Sequence, residues 1–393
     1  MSDRPVIGIL GATGAVGRAA VCELRDLGYT ELRLGGRRLD PLEQVLREEL
    51  GGTGTAMRAD LEDARSVVAF SESCSTVLNC AGPTYRWKAA AARAALEAGA
   101  PCVDVAGDDP AAEELTRERA AEDAGRAVVL SAGVMPGLSS ILPRWLAAQE
   151  LDTVAELTAY CGGLEPCTPT VAEDLMLSLT TGGAQGASYG EPLAAWRFGH
   201  RQPRALRADE NTEAPGFAGR VALQPFLSTE TERLATTLGL DRVDWFNVHP
   251  GPRSRAVMNL LPVMLAQGVD RPGPAARLMR DADLDLAGRS PYYVMDFTLT
   301  GTVAGARAHR RLSMRTTSSY RLTAVVGALA ADAVVRGTVP TGVHFACDVL
   351  DPATVATYLV TSGAVSRFAR SLPAPLPVGG TGHAEAALEE GSL

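Results

Sequence analysis

Three glycines, Gly11, Gly14 and Gly17, stand at even spacing in GILGATGAVGR, residues 8–18. They follow a short apolar run and open a helix-like segment. At such a junction the first glycine permits a tight turn off a strand. The second lets backbone N–H groups approach an anion, and the third lets the helix pack closely on what precedes it. The chemistry is phosphate binding: Thr13, Ala15 and Val16 complete a loop at the positive end of the helix, where a pyrophosphate sits. A glycine triplet alone is a common turn; its place after a strand and before a helix makes it a dinucleotide fingerprint.

Further motifs extend that site. Gly35-Gly36-Arg37-Arg38 ends the second apolar run. A carboxylate usually stands there to bind free ribose hydroxyls. Here two guanidiniums can fork onto a 2′-phosphate, so the expected cofactor is NADP(H); the alternative is two solvated arginines. Asp60 and Leu61, in MRADLED, border the adenine, unless Asp60 merely caps the next helix. Asn79, Cys80, Ala81, Gly82 and Pro83, in LNCAGP, pass beneath the pyrophosphate and nicotinamide ribose. Gly133, Met135 and Pro136, in LSAGVMPGLSS, turn tightly into a helix from Leu138, close to the nicotinamide face.

The elements that position these residues alternate. Apolar runs predict strands at 6–10, 31–34, 55–59, 76–79, 102–105 and 127–130, with helices at 16–27, 40–50, 64–71, 88–98 and 111–124 between them. That alternation gives an α/β fold, a Rossmann-type doubly wound parallel sheet whose carboxyl-edge loops form the ligand crevice. From about Thr153 the alternation weakens. AELTAYCGG, PYYVMDFTLTG and RLSMRTT read as longer strands, VAEDLMLSLTTG and 320–336 as helices, and Ala194 to Gln224 as a hairpin and loop. They imply a second α+β domain with an open mixed sheet covered on one face.

Bulk properties exclude several classes. A chain of 393 residues, 46% apolar, suits two domains. A net charge of −9 gives no basic field for nucleic acid. No apolar stretch reaches membrane-spanning length, and only a short apolar run follows Asp3 and Arg4, so a cytoplasmic protein is expected. The seven cysteines form no CxxC pair and read as small buried residues of a reduced compartment. There is no metal-ligand spacing, no Ser/His/Asp arrangement and no P-loop.

GATGAVGR, GGRR, LNCAGP, PCVDVAGD and SAGVMPGLSS resemble, in order and spacing, the saccharopine dehydrogenase-like reductases over roughly the first 145 residues. YCGGLEP, DWFNVHPG, SSYRLTA and PTGVHFACDVLDP are similar to the second domain of bacterial members. Thr84 and Lys88 stand where members often carry an aromatic residue and then a glycine. The resemblance implies NADP(H) and the making or breaking of a secondary amine through an imine. It implies a homodimer built by the second domain and a C-terminal helix returning to the first. The expected domains are 1–145 with about 346–371 for the dinucleotide, 146–345 for substrate and dimerisation, and a mobile tail at 372–393.

Reduction of an imine needs a proton at nitrogen, and a protonated imine is already a good acceptor. Lys88, the only lysine in the chain, reads as a proton donor or carboxylate anchor, or else as a phosphate or surface contact. Tyr85 can relay a proton or pack under the nicotinamide, and His249 in FNVHPGPRSR is a catalytic or a plain loop histidine. Arg253, Arg255 and Arg315 could anchor a substrate carboxylate, or lie solvated. Glu165 and Asp174 could receive a substrate ammonium, and Asp174 could instead cap a helix or face solvent. His200, His309 and His383 form no constellation. The leading expectation is NADPH-dependent reduction of a C=N bond. The alternatives are reduction of a C=O or C=C bond, and a non-catalytic NADP-binding sensor or structural protein.

Overall fold

The computed structural model describes residues 4–180, 189–268, 271–371 and 388–390, which fold as two compact units. The first spans Met1–Leu138, Thr170–Ser178 and Ser319–Val355; the second spans Ser139–Pro169, Leu179–Ser318 and Ala356–Leu393.

The first unit runs β1 (Ile7–Leu10), α1 (Ala15–Asp26), β2 (Leu32–Gly36), α2 (Leu39–Leu50), β3 (Thr55–Arg58), α3 (Ala64–Ser71), β4 (Thr76–Asn79), α4 (Thr84–Trp87), α5 (Ala90–Glu97), β5 (Cys102–Asp104), α6 (Asp109–Glu118), α7 (Ala120–Ala124) and β6 (Ala127–Leu130). The strand Gly342–Phe345 pairs beyond β6. The sheet order is that strand, then β6-β5-β4-β1-β2-β3, and every neighbouring pair is parallel. The order reverses between β1 and β4, so the carboxyl ends of these strands open the crevice of a doubly wound sheet. IGIL of β1 and TVLN of β4 are buried throughout, as central parallel strands with both faces covered must be.

Helix spacing explains that cover. In α1 the residues Gly17, Ala20, Val21 and Leu24 form one buried stripe. On the sheet's core, Phe70 of α3 fills the space left by two strand glycines; a Cβ on Gly8 would lie 2.9 Å from its ring and one on Gly35 2.6 Å. The helix Ser319–Val335 packs on α1, β4 and β5. A Cβ on its Gly327 would come within 2.9 Å of Val105 Cγ1 and 3.1 Å of Leu78 Cδ1, so a small residue is required there. Its Arg321 meets the buried Glu23 of α1 at 2.8 Å.

Several boundaries differ from the sequence expectation. The return to the first unit begins at Ser319 rather than near 346 and closes at Val355. The helix Ser319–Val335 is apolar nearly all round, a pattern that marks burial without saying against which sheet. The expected helix 111–124 is broken where Arg119 turns to φ 52, and α5 starts at Ala90 because Lys88 turns to φ 44. The tail expected to be mobile lies, apart from Leu388–Glu390, outside the described residues.

The second unit is a mixed sheet. Thr153–Leu164 pairs antiparallel with Tyr292–Val303 and parallel with Arg242–His249. Ala306–Thr316 returns from Tyr292–Val303 through Ala304 and Gly305, both at positive φ, a two-residue hairpin turn. Alternation puts Leu157, Ala159 and Cys161 with Met295, Phe297, Leu299, Leu312 and Met314 on one buried face. The opposite face carries Tyr160 stacked on Phe246 at 5.1 Å. No helix among the described residues is long and apolar enough to cross a membrane.

Candidate cofactor and active site

Gly11 and Gly17 are demanded by the chain itself. Gly11 has φ 74, and a Cβ there would lie 2.8 Å from Ala81 N and 2.9 Å from Ala81 Cα. A Cβ on Gly17 would lie 2.1 Å from the Gly11 carbonyl oxygen. Gly14 differs. It has ordinary extended angles, φ −77 and ψ 168, and a Cβ would meet only the Gly11 oxygen at 3.3 Å. Thr13, Gly14 and Ala15 are exposed, Val16 is half-buried, no side chain caps α1, and no acidic residue stands in its first turn. The open space over Gly14 and the uncapped positive helix end form a cradle for a pyrophosphate.

Arg37 and Arg38 follow β2 directly and are exposed. Neither guanidinium has a hydrogen bond or ion pair among the described residues, whereas Arg18 on α1 is held by Glu48 at 2.5 Å and Glu49 at 2.7 Å. Two unpaired guanidiniums at the end of the second strand fit a 2′-phosphate. Asp60 closes the turn after β3: its carboxylate accepts from Glu62 N at 3.2 Å and its N–H donates to Ser66 Oγ at 2.9 Å. It thus shapes the approach to α3 without capping it, and Leu61 beside it is half-buried.

The loops after β4, β5 and β6 are stitched together. Asn79 is 4% exposed, and both ends of its amide are committed inside the protein. Its Nδ2 donates to Asp104 Oδ2 at 2.7 Å, and its Oδ1 accepts from Ala81 N at 3.1 Å. Cys80 N donates to Leu10 O at 3.0 Å, which joins this loop to β1. Burial pushes the Cys80 thiol up, so it is held neutral. Gly133 N donates to Pro136 O at 3.1 Å, and a Cβ on Gly133 would lie 2.4 Å from Val105 O. Met135 is 42% exposed at the tip of this turn. Asp104, which anchors the Asn79 amide, is not among the residues the sequence singles out. The available signal was an Asp closing a buried strand just before Ala-Gly, the pattern of a side chain that accepts from amides two residues on.

Asp174 joins the same unit from the helix Pro169–Thr180. Its Oδ1 accepts from Tyr85 N at 3.2 Å, and its Oδ2 lies 3.7 Å from where a Cβ on Gly82 would stand. Burial pushes its carboxyl up to about 6, against the amides of Tyr85 and Thr84, which favour the charged form; Glu173 and Asp104 add to the rise. Of the sequence alternatives, capping is the one seen: the Asp174 carboxylate caps α4. Tyr85 is half-buried. Lys88 ends α4 with φ 44 and ψ −117, and its exposed ammonium lies 3.5 Å from Glu114 Oε1 on α6.

The other candidates lie in the second unit. Arg255 is 8% exposed, and Glu210 closes its fork at 2.6 and 3.0 Å with Gln224 at 3.0 Å. Its Nε and Nη2 are committed, which corrects its expectation as a free carboxylate anchor: the buried charge needs a partner, and Glu210 supplies it. Burial, then Arg255, pushes His249 down to about 4, so its ring is neutral at physiological pH and has no proton to donate as a cation. Arg253 is exposed, its backbone N–H donating to Asp285 Oδ1 at 3.1 Å. Arg315 lies over the Tyr292 ring at 4.0 Å. Neither has a carboxylate partner for its guanidinium among the described residues. Glu165 is half-buried and adds to the strong upward push on the Tyr293 phenol, whose main cause is burial.

Residues 7–135 match the family model described as the saccharopine dehydrogenase NADP binding domain. No curated protein matches the chain. Among solved structures it is similar to apo histidine-tagged saccharopine dehydrogenase (L-Glu forming) from Saccharomyces cerevisiae, with a TM-score of 0.65 at 13% identity over 92% of this chain and 98% of that one. It is more distantly similar to C. glutamicum DAP dehydrogenase in complex with DAP, with a TM-score of 0.44 at 14% identity over 91% and 98% of the two chains. At such identities the likeness is one of fold. The glycine loop, the uncapped α1 and the paired arginines fit the cofactor that the matched domain binds, and residues 7–135 thus form an NADP(H)-binding domain of the saccharopine dehydrogenase type.

Proposed function

We propose that the chain is an NADPH-dependent reductase of a C=N bond, either an imine formed from an amine or amino acid and a carbonyl compound or a preformed cyclic imine. Bound NADPH supplies a hydride to an electrophilic carbon. The loop from Gly11 to Gly17 holds the pyrophosphate, Arg37 and Arg38 hold the 2′-phosphate, and Asn79 to Pro83 form the floor beneath the nicotinamide ribose. Gly133, Met135 and Pro136 border its ring.

The observation that carries the choice of bond is Asp174. A carboxyl at about 6 stands against the loop Gly82–Tyr85. Ionised, it attracts a cationic amine or iminium; protonated, it has a proton to give at neutral pH. A neutral carbonyl offers no charge to match. Tyr85, whose backbone Asp174 holds, is the second candidate for moving that proton. Arg253 and Arg315 are the candidates for a substrate carboxylate.

The test is an NADPH-consumption screen of amines and amino acids paired with 2-oxo acids, with cyclic imines as a second set. We expect consumption that requires both halves of a pair, or the cyclic imine. Consumption with the carbonyl compound alone would replace this reading with C=O reduction. A protein that binds NADPH yet consumes none with either set would favour a non-catalytic role.

A further inference from the structure

Asp104 ends β5, two strands away from the glycine loop in the order β5-β4-β1, and its side chain is 4% exposed. Its Oδ1 accepts from Ala106 N at 2.9 Å and Gly107 N at 2.8 Å, and its Oδ2 accepts from Asn79 Nδ2 at 2.7 Å. Every partner is a donor. Asn79 is therefore forced to turn its amide so that Oδ1 points the other way, where it accepts from Ala81 N at 3.1 Å. Ala81 is the residue whose backbone lies directly behind Gly11. A chain of single-polarity bonds thus runs from Asp104 through the Asn79 amide to the back wall of the glycine loop.

We infer that Asp104 is a positioning residue for the dinucleotide site: as an acceptor on all sides it fixes the orientation of the Asn79 amide, and through it the Ala81 backbone against which the glycine loop rests. The inference rests on the cofactor placement argued above and adds a residue that touches no cofactor itself.

The polarity makes a sharp test. In Asp104→Asn the new amide has one acceptor end and one donor end. If its oxygen keeps the Ala106 and Gly107 amides, its NH₂ meets the NH₂ of Asn79. If Asn79 then turns over, its own NH₂ meets the Ala81 N–H. If the new amide turns instead, its NH₂ meets Ala106 and Gly107. Every arrangement sets donor against donor. The double variant Asn79→Asp/Asp104→Asn restores a consistent chain. Asp at 79 accepts from Ala81 N and from the new amide at 104, whose oxygen keeps Ala106 and Gly107. Only the weak contact from position 79 to Ala81 O, 3.4 Å in the native protein, is lost.

Affinities of NADPH and of its 2′-phosphorylated adenosine half (2′-phospho-AMP) are measured for the wild type, Asp104→Asn, Asn79→Asp and the double variant. We expect NADPH to bind about tenfold more weakly to Asp104→Asn, the size of one lost charge-assisted bond. Asn79→Asp alone, with two carboxylates face to face, is expected to be at least as poor. The adenosine half, held at Arg37 and Arg38, is expected to bind all four proteins alike. The double variant is expected to return NADPH binding to within about threefold of wild type. Unchanged NADPH affinity in Asp104→Asn, equal loss of both ligands, or a double variant no better than the single ones would each overturn the inference. A wild type that binds neither ligand would overturn the cofactor placement, and this inference with it.

Discussion

At the residue scale the three glycines of the loop are unequal. Gly11 and Gly17 have no room for a Cβ, while Gly14 has room and ordinary angles. Gly14→Val should therefore fold with near-native stability and lose measurable NADPH affinity, because its side chain enters the phosphate cradle. Unchanged affinity in the folded variant would make the loop a turn and nothing more. Arg37→Ala/Arg38→Ala should weaken NADPH binding by about 1.5–3 kcal/mol and leave NADH binding unchanged, as titration of both cofactors will show. Asp174 gives a pH signature. Its folded-state pKa of about 6 lies above the ordinary carboxylate value, so the folded protein holds this proton more tightly than the unfolded chain. The stability it lends is fully present below about pH 4 and lost as pH rises toward 6, by up to about 2–3 kcal/mol. Asp174→Asn, which keeps an acceptor for the Tyr85 amide and never ionises, should match wild type in thermal melts at pH 4 and exceed it at pH 8. Equal melts at pH 8 would place the carboxyl in solvent. The glycine and arginine motifs were legible because each is local in sequence. The Asp104–Asn79 chain and the Asp174 cap were not, since each joins distant segments, and a carboxylate in the sequence does not announce its donor.

At the element scale six of the seven strands of the first sheet, β1 to β6, and most of the helices between them follow from hydrophobic pattern alone, to within a few residues. The misplaced helix, Ser319–Val335, failed for the opposite reason: a helix buried on all sides has no stripe to tell which sheet it covers. The other departure is α4 and its end. Pro83 opens a single helical turn, and Lys88 closes it in a backbone region that favours glycine. This gives a physical sense to a lysine at a place where similar sequences often carry glycine. Lys88→Gly should raise stability by about 1 kcal/mol, since the relief of strain exceeds the loss of an exposed pair with Glu114. NADPH affinity and turnover should stay at wild-type values. A fall in turnover with cofactor binding intact would return Lys88 to the chemistry as proton donor or substrate anchor.

At the scale of the whole molecule, the chain forms two units of different architecture, and it crosses between them more often than the sequence shows. The second unit carries a buried apolar face and an opposite face where Tyr160 and Phe246 stack half-buried. A second copy of the chain meeting the first through that sheet is the expected assembly, and light scattering at micromolar concentration should give a dimer mass; a monomer mass would refute it. The central claim, reduction at C=N, is tested most directly by following one atom. NADPH deuterated at the transferring ring position is supplied with an active substrate pair, and the product is analysed by mass spectrometry. The account predicts one deuterium per product molecule, on a carbon bonded to an amine nitrogen. Deuterium on an alcohol carbon, or on a carbon bearing no nitrogen, would contradict it.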